Sequence, residues 1–259
     1  MNRKPIACPE YYPNTFERLD SAIVNAFMHK NGPGTLQSSR RDTEIKLLIT
    51  PSEKIEKAGS CMSWGYKDIA EAKFPKTYII LGTNHHSTTK FSTYLFADWE
   101  TPLGPVKTNQ EIGKELSNLF PQLINEHTAH ENEHSIEIQL PWLQFASRDK
   151  LSELSFIPIS INIDSIKDIQ ILAEALFKIQ DKATIIASSN IEDTATLQYI
   201  QSGDPEALIN YKKRKQKDIK EIAPLLTILE LARMQNKKPV IINHQASKDR
   251  MYYACIKYQ

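Results

Sequence analysis

Two histidine clusters hold the side chains best suited to chemistry in this chain. His85 and His86 follow Gly82 and an apolar run at 77–81. Imidazoles titrate near neutral pH, so a pair at the end of a strand suits metal ligation or general-base work. Adjacent residues on extended backbone point to opposite sides, so one of the two is expected to face a crevice. A hydrogen-bonded structural histidine is the competing reading for each. The second cluster is His127, His130, Glu131, Glu133 and His134. On a helix His127, His130 and His134 would share a face at i, i+3 and i+7, a spacing that suits zinc. The segment is strongly polar and follows Pro121, which favours another picture. In it Glu133 and His134 begin a helix whose apolar stripe is Ile136, Leu140 and Leu143. The end of that helix would offer a ligand its positive dipole and a histidine. Ser188, Ser189 and Asn190, and likewise Pro51 and Ser52, follow further apolar runs and either cap a strand or line a site.

These residues need elements to hold them. Short apolar or β-branched runs at 45–50, 77–81, 91–97, 154–161, 183–188, 239–243 and 251–258 predict strands. Helical periodicity predicts helices over 14–28, 59–70, 109–120, 135–145, 165–179 and 205–234. Asn14 is the expected N-cap of the first, with Glu17 three residues on. Residues 99–105 read as a turn-rich loop, and Gly32, Pro33, Gly34, Ser38 and Ser39 make 30–41 an expected mobile loop. Strands alternating with helices of ten or more residues indicate an α/β fold. The expectation is a single domain spanning 1–259, with a mostly parallel central sheet covered by helices on both faces. Ligands of such sheets bind beyond the carboxyl ends of the strands, where Ser52, Asn84, His85, His86, Ser189 and Asn190 all fall.

Composition narrows the function. Lys plus Arg number 32 and Asp plus Glu 31, for a formal net charge of +1, which lacks the basic footprint that duplex nucleic acid demands. The Lys-rich stretch from Lys212 to Lys220 alternates with Asp218 and reads as a solvated helix face. No run is long and apolar enough for a membrane span, and no apolar segment follows Arg3 and Lys4 to make a secretory signal. Three cysteines, Cys8, Cys61 and Cys255, are odd in number and separated in sequence, which argues for a reducing, cytoplasmic setting. Cys61 and Cys255 read as buried core residues, and His244 falls at another strand end. Neither a phosphate-cradling glycine pattern nor a G-x-S-x-G nucleophile elbow occurs.

Taken in order, these segments resemble the Memo family, including the proteins called AmmeMemoRadiSam system protein B. The resemblance rests on Tyr11-Tyr12-Pro13, on the strand ending Gly82-Thr83-Asn84-His85-His86, and on the turn Thr101-Pro102-Leu103-Gly104. Further matches are Phe156-Ile157-Pro158-Ile159 and Ala187-Ser188-Ser189-Asn190. Its most specific part is Glu133-His134-Ser135-Ile136-Glu137-Ile138-Gln139-Leu140-Pro141. The family is similar in fold to class III extradiol dioxygenases, whose non-haem iron sits at these strand ends. The resemblance therefore implies a crevice lined by Ser52, His85, His134 and Asn190. Within it His85 would match a metal-ligand position and His134 an acid–base position. It further implies a radical SAM or AMMECR-type protein as partner.

This chain departs from the family pattern where metal ligands are expected. Ser52 stands in place of a histidine, Asn190 in place of an aspartate, Asp193 in place of a histidine, and Lys220 in place of a cysteine. A catalytic zinc or iron centre takes about three protein ligands, and His85 is the one that remains. The expectation is a non-catalytic protein with a degenerate metal site and no cofactor, binding a small ligand or partner protein in the old crevice. His134 and His85 would be its central residues, with Ser52, Asn84, His86, Glu133, Ser189 and Asn190 around the ligand. The alternatives are a redox or dioxygenase-type enzyme holding iron, copper or zinc through rearranged ligands, and a metal-free hydrolase or lyase using a histidine base.

Overall fold

The computed structural model describes residues 2–163, 165–191, 193–218, 222–246 and 251–259. Its centre is a sheet of buried, β-branched strands: β1 (Leu47–Thr50), β2 (Thr77–Thr83), β7 (Ser155–Ile161) and β8 (Ala183–Ser188). Residues in β1, β2 and β8 are buried on both faces, so their runs are continuously apolar and do not alternate. The remaining strands are β3 (Phe91–Thr93), β4 (Trp99–Thr101), β5 (Gly104–Thr108), β6 (Leu123–Asn125), β9 (Pro239–Ala246) and β10 (Tyr252–Tyr258).

The order across the sheet is β4-β5-β7-β2-β8-β1-β10-β9. Pairing is parallel from β5 to β1, and the β10–β9 hairpin is antiparallel beside β1. β3 adds antiparallel to the end of β7 and pairs with β6. The expected mostly parallel sheet is therefore present, with antiparallel additions at both sides.

Helices cover the two faces. On one side α1 (Phe16–Met28), α2 (Ile55–Glu71) and the short α5 (Leu140–Ala146) pack their apolar stripes around Leu19, Ile23, Met62, Tyr66 and Trp142. On the other lie α3 (Gln110–Leu119), α6 (Ile166–Phe177) and α9 (Ala223–Met234), around Leu116, Leu172 and Leu229. Completing the set are α4 (Thr128–Glu131), α7 (Thr194–Ser202) and α8 (Pro205–Arg214).

Several expectations need correction. α1 begins at Phe16 with Thr15 at the N-cap position and without a side-chain cap, so Asn14 does not cap it. Residues 99–105 contain the tight hairpin of β4 and β5, because Gly104 takes the positive φ of +110° that the turn requires. The helix expected over 205–234 is broken: α8 ends at Arg214, and Gln216 has φ 55°. Within the Lys-rich face Lys212 is buried, while Lys220 and Glu221 lie outside the described residues. The loop expected to be mobile is bonded across α2. Trp64 Nε1 donates to the Asn31 carbonyl at 2.8 Å, Lys67 Nζ to Pro33 at 3.0 Å, and Arg40 to Ile69 and Ala72. Cys61 and Cys255 are buried as expected and free of disulfides, yet they are neighbours: each thiol sits beside the other, and that contact with burial pushes the Cys61 pKa up.

Candidate functional site

The site lies where β1, β2 and β8 end. At the end of β2, Gly82 lets the strand press against the segment before α5. A Cβ there would stand 2.4 Å from Ser135 Oγ and 2.6 Å from Ile136 Cγ1, closer than side chains pack. Asn84 then organises the turn. Its Oδ1 accepts from the backbone of His86 and Ser87, at 3.1 and 2.9 Å, and its Nδ2 donates to the Thr89 carbonyl.

His85 is held by Glu133, whose carboxylate is fully buried. One oxygen accepts from the His85 backbone N–H at 3.2 Å and meets its Nδ1 at 2.8 Å; the other accepts from the Ser135 N–H at 2.8 Å. Burial acts to raise the Glu133 pKa, but these bonds and the nearby imidazoles outweigh it and hold the carboxyl down at about 2. An ionised partner selects the form of His85 protonated at Nδ1 and leaves Nε2 on the opposite ring edge. His134 lies parallel to His85, with centroids 6.1 Å apart, and its other neighbour is Tyr11, stacked at 4.3 Å. Burial pushes its pKa below the ordinary histidine value, so at neutral pH it is an uncharged imidazole.

Tyr11 is brought there by a second buried carboxylate. Glu137 accepts from the Ile6 and Ala7 backbone N–H groups and from the Tyr12 hydroxyl, and it pairs with Arg3 at 2.5 Å. Arg3 also stacks on Trp99 and donates to the His130 and Glu133 carbonyls. The two glutamates of the Glu133–Glu137 motif thus have separate duties: one orients His85, the other ties down the segment that carries Tyr11.

Across the crevice, the Asn190 amide bridges two strand ends. Ser52 N–H donates to Asn190 Oδ1 at 2.9 Å, and Asn190 Nδ2 donates to the Ser52 carbonyl at 3.0 Å. Beneath them Gln139 donates to the Pro51 carbonyl at 2.9 Å and to Ser188 Oγ at 2.7 Å, and it accepts from the Tyr66 hydroxyl. The crevice between them has a volume of about 230 Å³, lined by Tyr11, Ser52, Glu53, Thr83, His85 and His134, with Ser135, Ser188, Ser189, Asn190 and Ile222 completing the wall. That is below the ~300–1,000 Å³ of drug-sized sites and suits a small polar group.

Of the residues singled out in the sequence, Ser52, His85, His134, Ser188, Ser189 and Asn190 share this wall. Asn84, His86 and Glu133 do not: Asn84 holds the turn, Glu133 bonds inward, and His86 is exposed. The shared three-histidine face does not form. α4 stops at Glu131, His127 packs on Tyr94, and His130 is buried against Ser92 with its pKa pushed down to about 3. Nor does a helix start at Glu133. A 3-10 turn at Glu137–Gln139 precedes the seven-residue α5, and the buried Glu137 carboxylate stands at that end in place of a ligand. His244 is exposed on β9, away from the site. Sequence reasoning missed Tyr11, Glu53, Thr83, Ser135 and Ile222 as wall residues, although Tyr11, Thr83 and Ser135 belong to matched motifs. Glu192 and Lys220 lie outside the described residues. Among the described residues, no three His, Cys, Asp or Glu side chains gather in a group able to hold a metal, and no helix is long and apolar enough to cross a membrane.

Comparison with known proteins gives the frame. The model of the Memo-like protein family matches residues 3–254. A MEMO1 family protein of Sulfurisphaera tokodaii is 30% identical, covering 96% of this chain and 94% of that protein. One from Metallosphaera sedula is 29% identical over the same shares. Among solved structures, the uncharacterized protein JW3007 from Escherichia coli K12 shares the fold, with TM-score 0.60, 13% identity, and coverage of 82% of this chain and 99% of that one. On the family match and on near full-length similarity to its archaeal relatives, this chain belongs to the Memo-like protein family.

Proposed function

We propose that this Memo-family chain is a binding protein whose crevice holds no catalytic metal and takes a small polar ligand or a polar side chain of a partner protein. The observation that carries this is the Asn190–Ser52 bridge. The amide that stands where the family pattern implies a carboxylate is bonded to the backbone of the neighbouring strand end, with its oxygen and its nitrogen both engaged. His85 has Nδ1 committed to Glu133, and a catalytic centre takes about three protein ligands. The donor set does not fit iron, copper or zinc. A neutral His134 stacked on Tyr11, with the Ser52, Ser135 and Ser189 hydroxyls, suits recognition of a small hydrogen-bonding group. The family resemblance points to a radical SAM or AMMECR-type protein as the partner, and three free cysteines support a cytoplasmic setting.

Metal content of untagged protein purified without chelators, beside His85→Ala, tests this reading. Metal well below stoichiometric in both supports it. Near-stoichiometric iron, copper or zinc that is lost in the variant overturns it.

A second reading rests on Glu133 and His85. A buried carboxylate orienting an imidazole is the arrangement by which hydrolases hold a general base. p-Nitrophenyl acetate cleaved faster by the wild type than by His85→Ala supports this reading, and equal rates end it.

A further inference from the structure

On one side the sheet ends in an open edge. β9 is its outermost strand and, among the described residues, pairs with β10 alone. Its eight residues are half-buried or exposed, in contrast to the buried strands at the centre. Lys238 and Gln259 exchange N–H···O bonds at 3.0 and 3.2 Å. Alternation along an antiparallel ladder makes Val240 and Lys257 the next exchanging pair, and it turns the N–H and C=O of Ile241 away from β10.

Sheet proteins guard such edges with charge, proline or a bulge. Here Pro239 stands at the first position, and the register shifts between Cys255 and Ile256. From Val240 to Ala246, however, the strand carries no Lys, Arg, Asp or Glu and no further proline. The charges stand at its two ends, and they have one sign. Lys237 and Lys238 precede it. Lys30 lies beside its far end, in a groove of about 360 Å³ shared with Trp64, Asn243, His244, Gln245 and Ala246. No carboxylate lines that groove or the hollow beside Lys237, Lys238 and Pro239. Elsewhere lysines are answered by acids, as in Lys46–Glu44, Lys90–Asp168 and Lys257–Asp68. Among the described residues, Lys30, Lys237 and Lys238 have no such partner. The negative end of α9 accounts for Lys237 and leaves Lys30 unexplained.

We propose that the β9 edge docks an extended, acidic segment of a partner protein, which adds to the sheet as a further strand. Main-chain bonds to the outward groups of Ile241 supply the pairing. Acidic side chains at the two ends of the segment meet Lys237 and Lys238 on one side and Lys30 on the other. A second copy of this chain fits less well. Antiparallel pairing of two β9 strands centred on Ile242 would set Lys238 of each copy beside Ala246 and Lys30 of the other, like charge against like. The edge is guarded against its own kind and open to a strand of opposite charge. Docking here is independent of what the crevice binds.

Fluorescence anisotropy of fluorescein-labelled peptides with the full chain tests the edge, and amide NMR locates the binding. One peptide alternates valine and threonine over the length of β9 and ends in glutamates. A second ends in lysines, and a third is the acidic peptide with its backbone amides N-methylated. The acidic peptide is expected to bind saturably and about tenfold tighter than either of the others, with shifts over 240–246. A Lys237→Glu, Lys238→Glu double variant with unchanged thermal midpoint is expected to lose the preference for the acidic peptide. The proposal is overturned if the acidic peptide does not saturate, if the three bind alike, or if the double variant keeps the preference. Shifts centred on His85 and His134, or a concentration-dependent dimer that occupies 240–246, would overturn it equally.

Discussion

The side-chain amide of Asn190 is bonded twice to the backbone of Ser52, at 2.9 and 3.0 Å, and so fastens the end of β8 to the end of β1. A carboxylate cannot donate to the Ser52 carbonyl and would face it with negative charge. Asn190→Asp is therefore expected to lose about 1–3 kcal/mol of stability, read as a lower denaturation midpoint in urea. An unchanged midpoint would remove the structural role assigned to this amide.

Glu133 makes stability depend on acid. Its folded pKa is about 2 against an ordinary 4.5, so the unfolded chain takes up the proton first as pH falls. The stabilisation is complete above the ordinary value and is lost between there and about 2. It amounts to about 3 kcal/mol at neutral pH. Urea denaturation across that range is expected to show this loss in the wild type and to show it much reduced in Glu133→Gln.

His134 has its pKa lowered by burial, and its neighbours His85 and His86 oppose its charge further, while Glu133 favours it. Between the folded pKa and the ordinary value the unfolded chain binds the extra proton, so this residue destabilises the fold as pH drops through that window and has no such effect above it. Carbon-detected NMR titration is expected to place its midpoint below 6.5. Tyr11→Ala, which opens one ring face to water, is expected to move that midpoint back up.

Arg3 and Glu137 form a pair buried at both ends. Removing one member strands the other charge, so Arg3→Ala is expected to cost about 3–5 kcal/mol. It should also release Tyr11 from His134. Faster proteolysis near the N-terminus, together with a His134 titration resembling that of Tyr11→Ala, would register that release.

Much of this was legible from the chain. The buried strands announce themselves as β-branched runs, and the clustering of Ser52, His85, Ser189 and Asn190 follows from the rule that parallel sheets bind at the carboxyl ends of their strands. What was not legible is which way each polar residue turns. Asn84 and Asn190 look alike beside a strand end, yet one closes a local turn and the other spans to a strand 138 residues away in sequence. Glu133 and Glu137 sit in one motif and bond to different parts of the molecule, which depends on long-range packing that local periodicity does not encode. The helix expected at Glu133 failed for the same reason, since Glu137 is drawn inward by Arg3 and the N-terminal backbone.

The placement of β1 between β8 and β10 has a consequence for how the chain reaches this fold. Leu47 lies beside Ile185 on one side and Tyr258 on the other, so the first strand has neither neighbour until most of the chain has been made. Such distant pairing slows folding, because a long loop must close before any contact rewards it. Until then the apolar edges of β1 stand open to other chains, and newly synthesised protein is expected to depend on chaperones more than a helical bundle of equal length would.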